Sequence, residues 1–194
     1  MYRFFLNLSR VFAYLGGLML AGLIVMTCAS VLGRWANGAL HGVVADGIAP
    51  GVAQALLDLG LGVIRGDFEL IEAGIAFSIF AFLPWCQITN GHAAVDIFTS
   101  RLPPRADRVL RAVTESLFAV VLVVIAVQLG SGMVSKLQSG QTTLILQFPL
   151  WWAYALSLSG AVVAALVGVY IAAARIAESW QGRALLPPDQ RAAR

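Results

Sequence analysis

Charge is what this sequence has least of. Asp, Glu, Lys and Arg make up 12% of its 194 residues, against roughly 25% in a soluble domain. That shortage excludes an ordinary water-solvated surface. Lysine is nearly missing: Lys136 is the only one among thirteen basic residues, and the arginines stand singly or in short loops. A net charge of +3 without a long basic run excludes the electrostatic footprint of a nucleic-acid binder. The two cysteines, Cys28 and Cys86, form neither a C-x-x-C pair nor a metal spacing, so they read as buried thiols. The two histidines, His41 and His92, fall on opposite sides of the predicted membrane. A haem bundle needs paired ligands inside it, so no haem is expected, nor any other cofactor. A nucleophile elbow, a phosphate loop and a metal-ligand cluster are all missing, which argues against an enzyme. So is a convincing internal repeat, and with it the paired broken helices from which many transporters build a midplane site.

What is there is apolar. Hydrophobic residues are 59% of the chain and mean hydropathy is +0.82. A spanning helix needs about 20 predominantly apolar residues, and four runs qualify: about 11–33, 68–90, 112–135 and 148–174. The first is too long for the h-region of a cleaved signal peptide and reads as a retained helix. The expected fold is an all-α integral membrane protein, a single four-span domain over 1–180, with a flexible cytoplasmic tail at 181–194.

Two shorter segments are expected to lie on the membrane surface as amphipathic helices. One is about 51–64, with Val52, Ala55, Leu56, Leu59 and Val63 on one face. The other is about 94–102, with Val95, Phe98 and Leu102, stopped by Pro103 and Pro104. Gly38, Gly42, Gly47, Pro50 and Gly51 read as punctuation of a loop beginning at Arg34. Orientation follows from basic residues in short loops. Arg3, Arg10, Arg101, Arg105, Arg108, Arg111, Arg175, Arg183, Arg191 and Arg194 fall on one side, and Arg34, Arg65 and Lys136 on the other. Both termini are therefore expected in the cytoplasm.

Ionisable residues inside a membrane usually mark function, and here they avoid its centre. Glu69 and Glu72 sit in the first turns of the second span, beside the possible cap Asp67, where a helix N-terminus favours acids. Glu115 stands one turn after Arg111, at pairing distance. Gln128 lies deep in the third span and is expected to bond a neighbouring helix. Gly160, Ala164, Gly168 and Ala172 recur every four residues in the fourth span, as do Ala13, Gly17 and Ala21 in the first. Such small-residue faces allow close helix approach.

The stretch "GDFELIEAGIAFSIFAFLPWCQITNGHAAVDIFTSRLPPR", 66–105, resembles the small permease (Q-type) subunit of tripartite ATP-independent periplasmic (TRAP) transporters. Glu69-Leu70, Pro84, Gly91-His92, Val95-Asp96 and Leu102-Pro103 carry the resemblance. "LGRWANG" at 32–38 and "SGQTTLILQFPLWWAYA" at 139–155 are similar to further family segments. The outer loop at about 39–64 is longer than the family leads one to expect. The resemblance implies a multi-pass protein of the bacterial inner membrane. It would pack as fixed scaffold on a large permease subunit, which moves an organic anion with a sodium gradient after a periplasmic binding protein delivers it. Within that reading Pro84, Gly91, His92 and Asp96 form an elbow that fixes an amphipathic arm, or else a plain helix terminus. Arg101, Arg105, Arg108 and Arg111 meet anionic phospholipid, at roughly 1 kcal/mol each near the surface. Two other readings stay open: a membrane anchor of an oxidoreductase, and a stand-alone small transporter.

Overall fold

The computed structural model describes residues 1–45, 51, 65–89, 91 and 103–181. The expected surface helices at 51–64 and 94–102 lie outside the described residues, Gly51 apart, as does the tail beyond Gln181. Four helices make up the described fold: α1 Tyr2–Ala45, α2 Asp67–Ile88, α3 Pro104–Ser139 and α4 Trp151–Gln181. Each is long and apolar enough to cross a membrane.

α2 nearly matches its expected span and α4 starts three residues late, whereas α1, α3 and the end of α4 overrun theirs. α1 continues through Gly38 and Gly42, which are helix interior and not loop punctuation. An isolated glycine costs a helix only about 1 kcal/mol against alanine, too little to break one flanked by Trp35, Ala36, Ala39 and Leu40. At 1.5 Å per residue α1 is about 66 Å long, roughly twice a bilayer core of about 30 Å. α3 begins at Pro104, a residue expected to stop the preceding segment. Proline is well placed at a first helical position, where its missing N–H has no partner to lose. α3 ends on Gly140, held at φ 61°, the left-handed conformation that glycine adopts freely. α4 runs past Ala174 because Arg175 pairs with Glu178 one turn on, at 2.9 Å.

The helices stand in a row, α1–α2–α4–α3, and do not close into a bundle. α1 packs on α2, α2 on α4, and α4 on α3, with only a slight touch between α1 and α4. Within their apolar windows, α4 is 56% buried and α2 33%, against 17% for α1 and 11% for α3. α1 and α3 are therefore the two edges. Contacts fix the directions. Gly16 meets Ala81 and Gly74 meets Leu23, so α1 and α2 are antiparallel. Gly160 meets Phe80 and Gly168 meets Gln87, so α2 and α4 are parallel. Gly132 meets Tyr154 and Gly168 meets Leu122, so α3 and α4 are antiparallel.

Close approach depends on small residues. A Cβ added at Gly160 would lie 2.9 Å from the carbonyl carbon of Phe80. That carbonyl is the one Pro84 leaves without an N–H partner in its own helix, and Pro84 is itself buried in α2. Ala164, Gly168 and Ala172 continue the seam, all buried. The face expected in α1 does not pack: Gly17 has nothing within 4 Å of a Cβ position, and Ala21 is exposed. The buried positions are instead Ser9, Gly16, Leu23 and Ser30. They recur every seven residues, the spacing of a helix pair that supercoils. At the other end of the row Ile88, Val167 and Ile171 gather Tyr2, Phe5, Trp85 and Tyr170 around them.

Candidate functional site

The charged side chains of the described residues gather at the two ends of the row. At the Asp67 end, Asp67 is the first residue of α2 and is buried. Its Oδ2 accepts a hydrogen bond from Ser30 Oγ at 2.7 Å and faces Arg34 Nη2 at 3.5 Å. Its Oδ1 accepts from Phe68 N at 2.9 Å. One carboxylate thus ties α1 to the start of α2. Two residues on, Glu69 reaches the connection between α3 and α4. Its Oε1 accepts from Ile145 N at 2.7 Å and its Oε2 from Leu146 N at 2.9 Å.

That connection is a narrow loop closed by its own backbone. Thr143 N donates to Phe148 O and Leu150 N to Gln141 O, both at 3.0 Å, with a bridge between Thr142 and Pro149. Gln147 sits at φ 53°, a left-handed conformation uncommon outside glycine. Leu146 lies over Gly66, whose φ is 79°. A Cβ there would lie 2.5 Å from Leu146 Cγ, so only glycine fits the position on both counts. The loop is therefore fixed to α2 and holds Leu144, 93% exposed, at its tip. Glu72 lies one turn below Glu69 and is exposed.

At the opposite end lies the sequence from Pro84 to Arg111. α2 finishes with two bonds that occupy its last carbonyls: Thr89 Oγ1 donates to Trp85 O at 2.7 Å and Gly91 N to Cys86 O at 2.7 Å. Gly91 serves through its N–H, without the positive φ seen at Gly66 and Gly140. His92, Asp96 and Arg101 of the expected elbow lie outside the described residues, as does the side chain of Arg105. Arg108 is half-buried, Arg111 exposed, and both have interaction partners.

Sequence reasoning assigned no partner to the largest fully buried side chain. Gln87 is 2% exposed. Its Nε2 donates to Glu115 Oε2 at 3.3 Å, which links α2 to α3 past Gly168 of α4. Its Oε1 has no partner among the described residues. The signal was present as Gln87 and Glu115 at the inner ends of two predicted spans, but nothing in spacing joins residues on different helices. Arg10 lies over the Trp85 ring at 5.7 Å, within cation–π range. Gln128, expected to bond another helix, is exposed on α3, and among the described residues its Oε1 accepts only from Ser131 Oγ of its own helix, at 3.4 Å.

These groups pair helix end with helix end. No group of three or more His, Cys, Asp or Glu able to hold a metal occurs among the described residues. What the arrangement does is staple a row of helices at both ends and leave its edge helices uncovered. A family model described as "Tripartite ATP-independent periplasmic transporters, DctQ component" matches residues 52–181. No curated protein and no solved structure matches the chain.

Proposed function

Because the chain belongs to the DctQ-component family of tripartite ATP-independent periplasmic transporters, and is thus a small inner-membrane subunit of such a system, we propose that it is the fixed scaffold on which the large permease subunit works. In this reading the large subunit carries an organic anion inward with sodium. A periplasmic binding protein delivers the anion, and this chain contributes no transport site of its own. Both termini lie in the cytoplasm, as the ten-to-three division of Arg and Lys supports. That puts the Asp67 end and the clamped loop on the periplasmic side.

The open row carries the proposal. A soluble-style closed bundle would hide its apolar stripes within itself. Here α1 leaves Tyr14, Leu18, Ile24, Val25 and Leu32 uncovered, and α3 leaves Val113, Leu117, Val120 and Val127 uncovered. In lipid this is tolerable for either edge. Helix association there depends on packing and polar contacts instead of water exclusion, and α3 also turns the Gln128 amide outward, into an apolar medium where polar groups are costly. A second subunit against that edge relieves it.

Reconstitution tests the reading. Vesicles holding this chain alone are expected to pass no organic anion. Vesicles holding it with its large subunit, a sodium gradient and the binding protein are expected to accumulate one. The two membrane subunits are expected to co-purify through one tag. Anion uptake by this chain alone, or undiminished uptake by the large subunit without it, would defeat the proposal.

A further inference from the structure

We infer that the groove between α2, α4 and the clamped loop is a binding site for one phospholipid with an ethanolamine head group. The groove holds about 480 Å³. It starts at Glu69 and Glu72 and runs down α2 past Ala73 and Ala76 to Phe80. Eleven residues of helix separate Glu69 from Phe80, a descent of about 16 Å. That is close to half of a bilayer core of about 30 Å, the depth of one leaflet. A helix of another protein would cross both leaflets, whereas an acyl chain ends where this groove ends.

The walls suit a chain. Ala73 and Ala76 on one side and Ala153 on the other keep a slot open between two parallel helices. The rim and the depth differ in polarity as a lipid does. At the rim, Glu69 is committed to the loop through Ile145 and Leu146. Glu72 is exposed and bonds no described residue. Lower down, Ser157 lines the groove and is 3% exposed, yet its Oγ has no hydrogen-bond partner among the described residues. A serine in a helix ordinarily returns its proton to a carbonyl one turn back, as Ser116 and Ser159 do here. Gly160 is level with Phe80, which sets Ser157 near Phe77 and about 8 Å below Glu72. A free carboxylate at head-group height matches a primary ammonium. A buried hydroxyl beneath it matches an ester carbonyl. Phosphatidylglycerol offers the carboxylate no cation, and phosphatidylcholine offers it no N–H donor.

The inference takes the leaflet from the orientation proposed above, but the binding itself does not depend on it. The test therefore uses the purified full chain alone. Delipidated protein is titrated with phosphatidylethanolamine, phosphatidylglycerol or phosphatidylcholine of matched acyl chains, and bound lipid is counted by native mass spectrometry. One phosphatidylethanolamine per chain is expected, preferred over phosphatidylglycerol by about fivefold, the ratio that one head-group charge contact of about 1 kcal/mol produces, and preferred over phosphatidylcholine through its N–H donors. Glu72→Gln is expected to erase the preference while leaving a lipid bound. Ala76→Phe is expected to fill the slot and remove the lipid. If that variant does not fold, Glu72→Gln decides alone. Equal retention of the three lipids by the natural chain, an unchanged preference in Glu72→Gln, or no retained lipid at all would overturn the inference. Failure of the scaffold reading shows instead in the transport assay and leaves these counts untouched.

Discussion

α4 and α3 are neighbours of similar length and apolarity, yet 56% of one apolar window is buried and 11% of the other. The difference lies in side-chain size along the contact. α4 offers Gly160, Ala161, Ala164, Gly168 and Ala172, so two helices approach it at once. α3 offers Ala119, Leu122 and Ala126 on one side and a broad exposed valine face on the other. β-Branched side chains keep a neighbour's backbone away, and none of the described residues closes on them. Hydrophobicity alone therefore does not decide which membrane helix becomes the centre. The distribution of small residues around it does.

The contrast can be broken most severely at Gly160. Gly160→Leu drives a side chain into the Phe80 backbone, which cannot yield as a flexible side chain can, and is expected to destabilise the protein by about 3 kcal/mol in detergent unfolding. Gly17→Leu, on an edge helix with open space around it, is expected to change stability by less than about 0.5 kcal/mol. Equal losses from the two would mean that the row is ordered differently. Gly66→Ala is a smaller blow. It combines a left-handed residue with overlap on Leu146 and is expected to cost about 1–2 kcal/mol. Hydrogen exchange should localise the loss to the 141–150 loop and the start of α2. Smaller than the Gly66 loss is the polar link from α2 to α3. A double-mutant cycle with Gln87→Leu and Glu115→Leu is expected to return a coupling near 0.6 kcal/mol, the usual size for such pairs in membranes. Zero coupling would leave α3 held by α4 alone.

The four helices were legible because runs of twenty apolar residues have few alternatives. The central seam was legible too, since the stripe from Gly160 to Ala172 is the face that packs. The same reasoning failed on α1. There Ala13, Gly17 and Ala21 make an equally good stripe, but Ser9, Gly16, Leu23 and Ser30 carry the contact. An edge helix is apolar all round, so its sequence does not say which side meets protein. The overrun of α1 was hidden for another reason: Arg34, Gly38 and Gly42 carry the marks of a loop while a helix tolerates them all. At the candidate sites, the acids at the start of α2 read as structural groups, but their partners are not readable. Asp67 bonds Ser30, and Glu69 bonds a loop 76 positions away, and no local pattern encodes such a meeting. Gln128 was misplaced because a deep polar side chain implies a partner without saying that the partner belongs to this chain.

The parallel run of α2 and α4 has a consequence for how the protein is made. Neighbouring helices that point the same way cannot be joined by a tight turn, so α3 must first be threaded back across the bilayer. α1 and α2 are the first pair to emerge from the insertion machinery, and they can settle together at once. The other flank of α2, with its proline-freed carbonyl, waits bare in lipid until the last segment is synthesised. The middle of this protein is thus the part completed latest, and a nascent chain halted before Trp151 has α1 settled on α2 but no helix to join α3 to them.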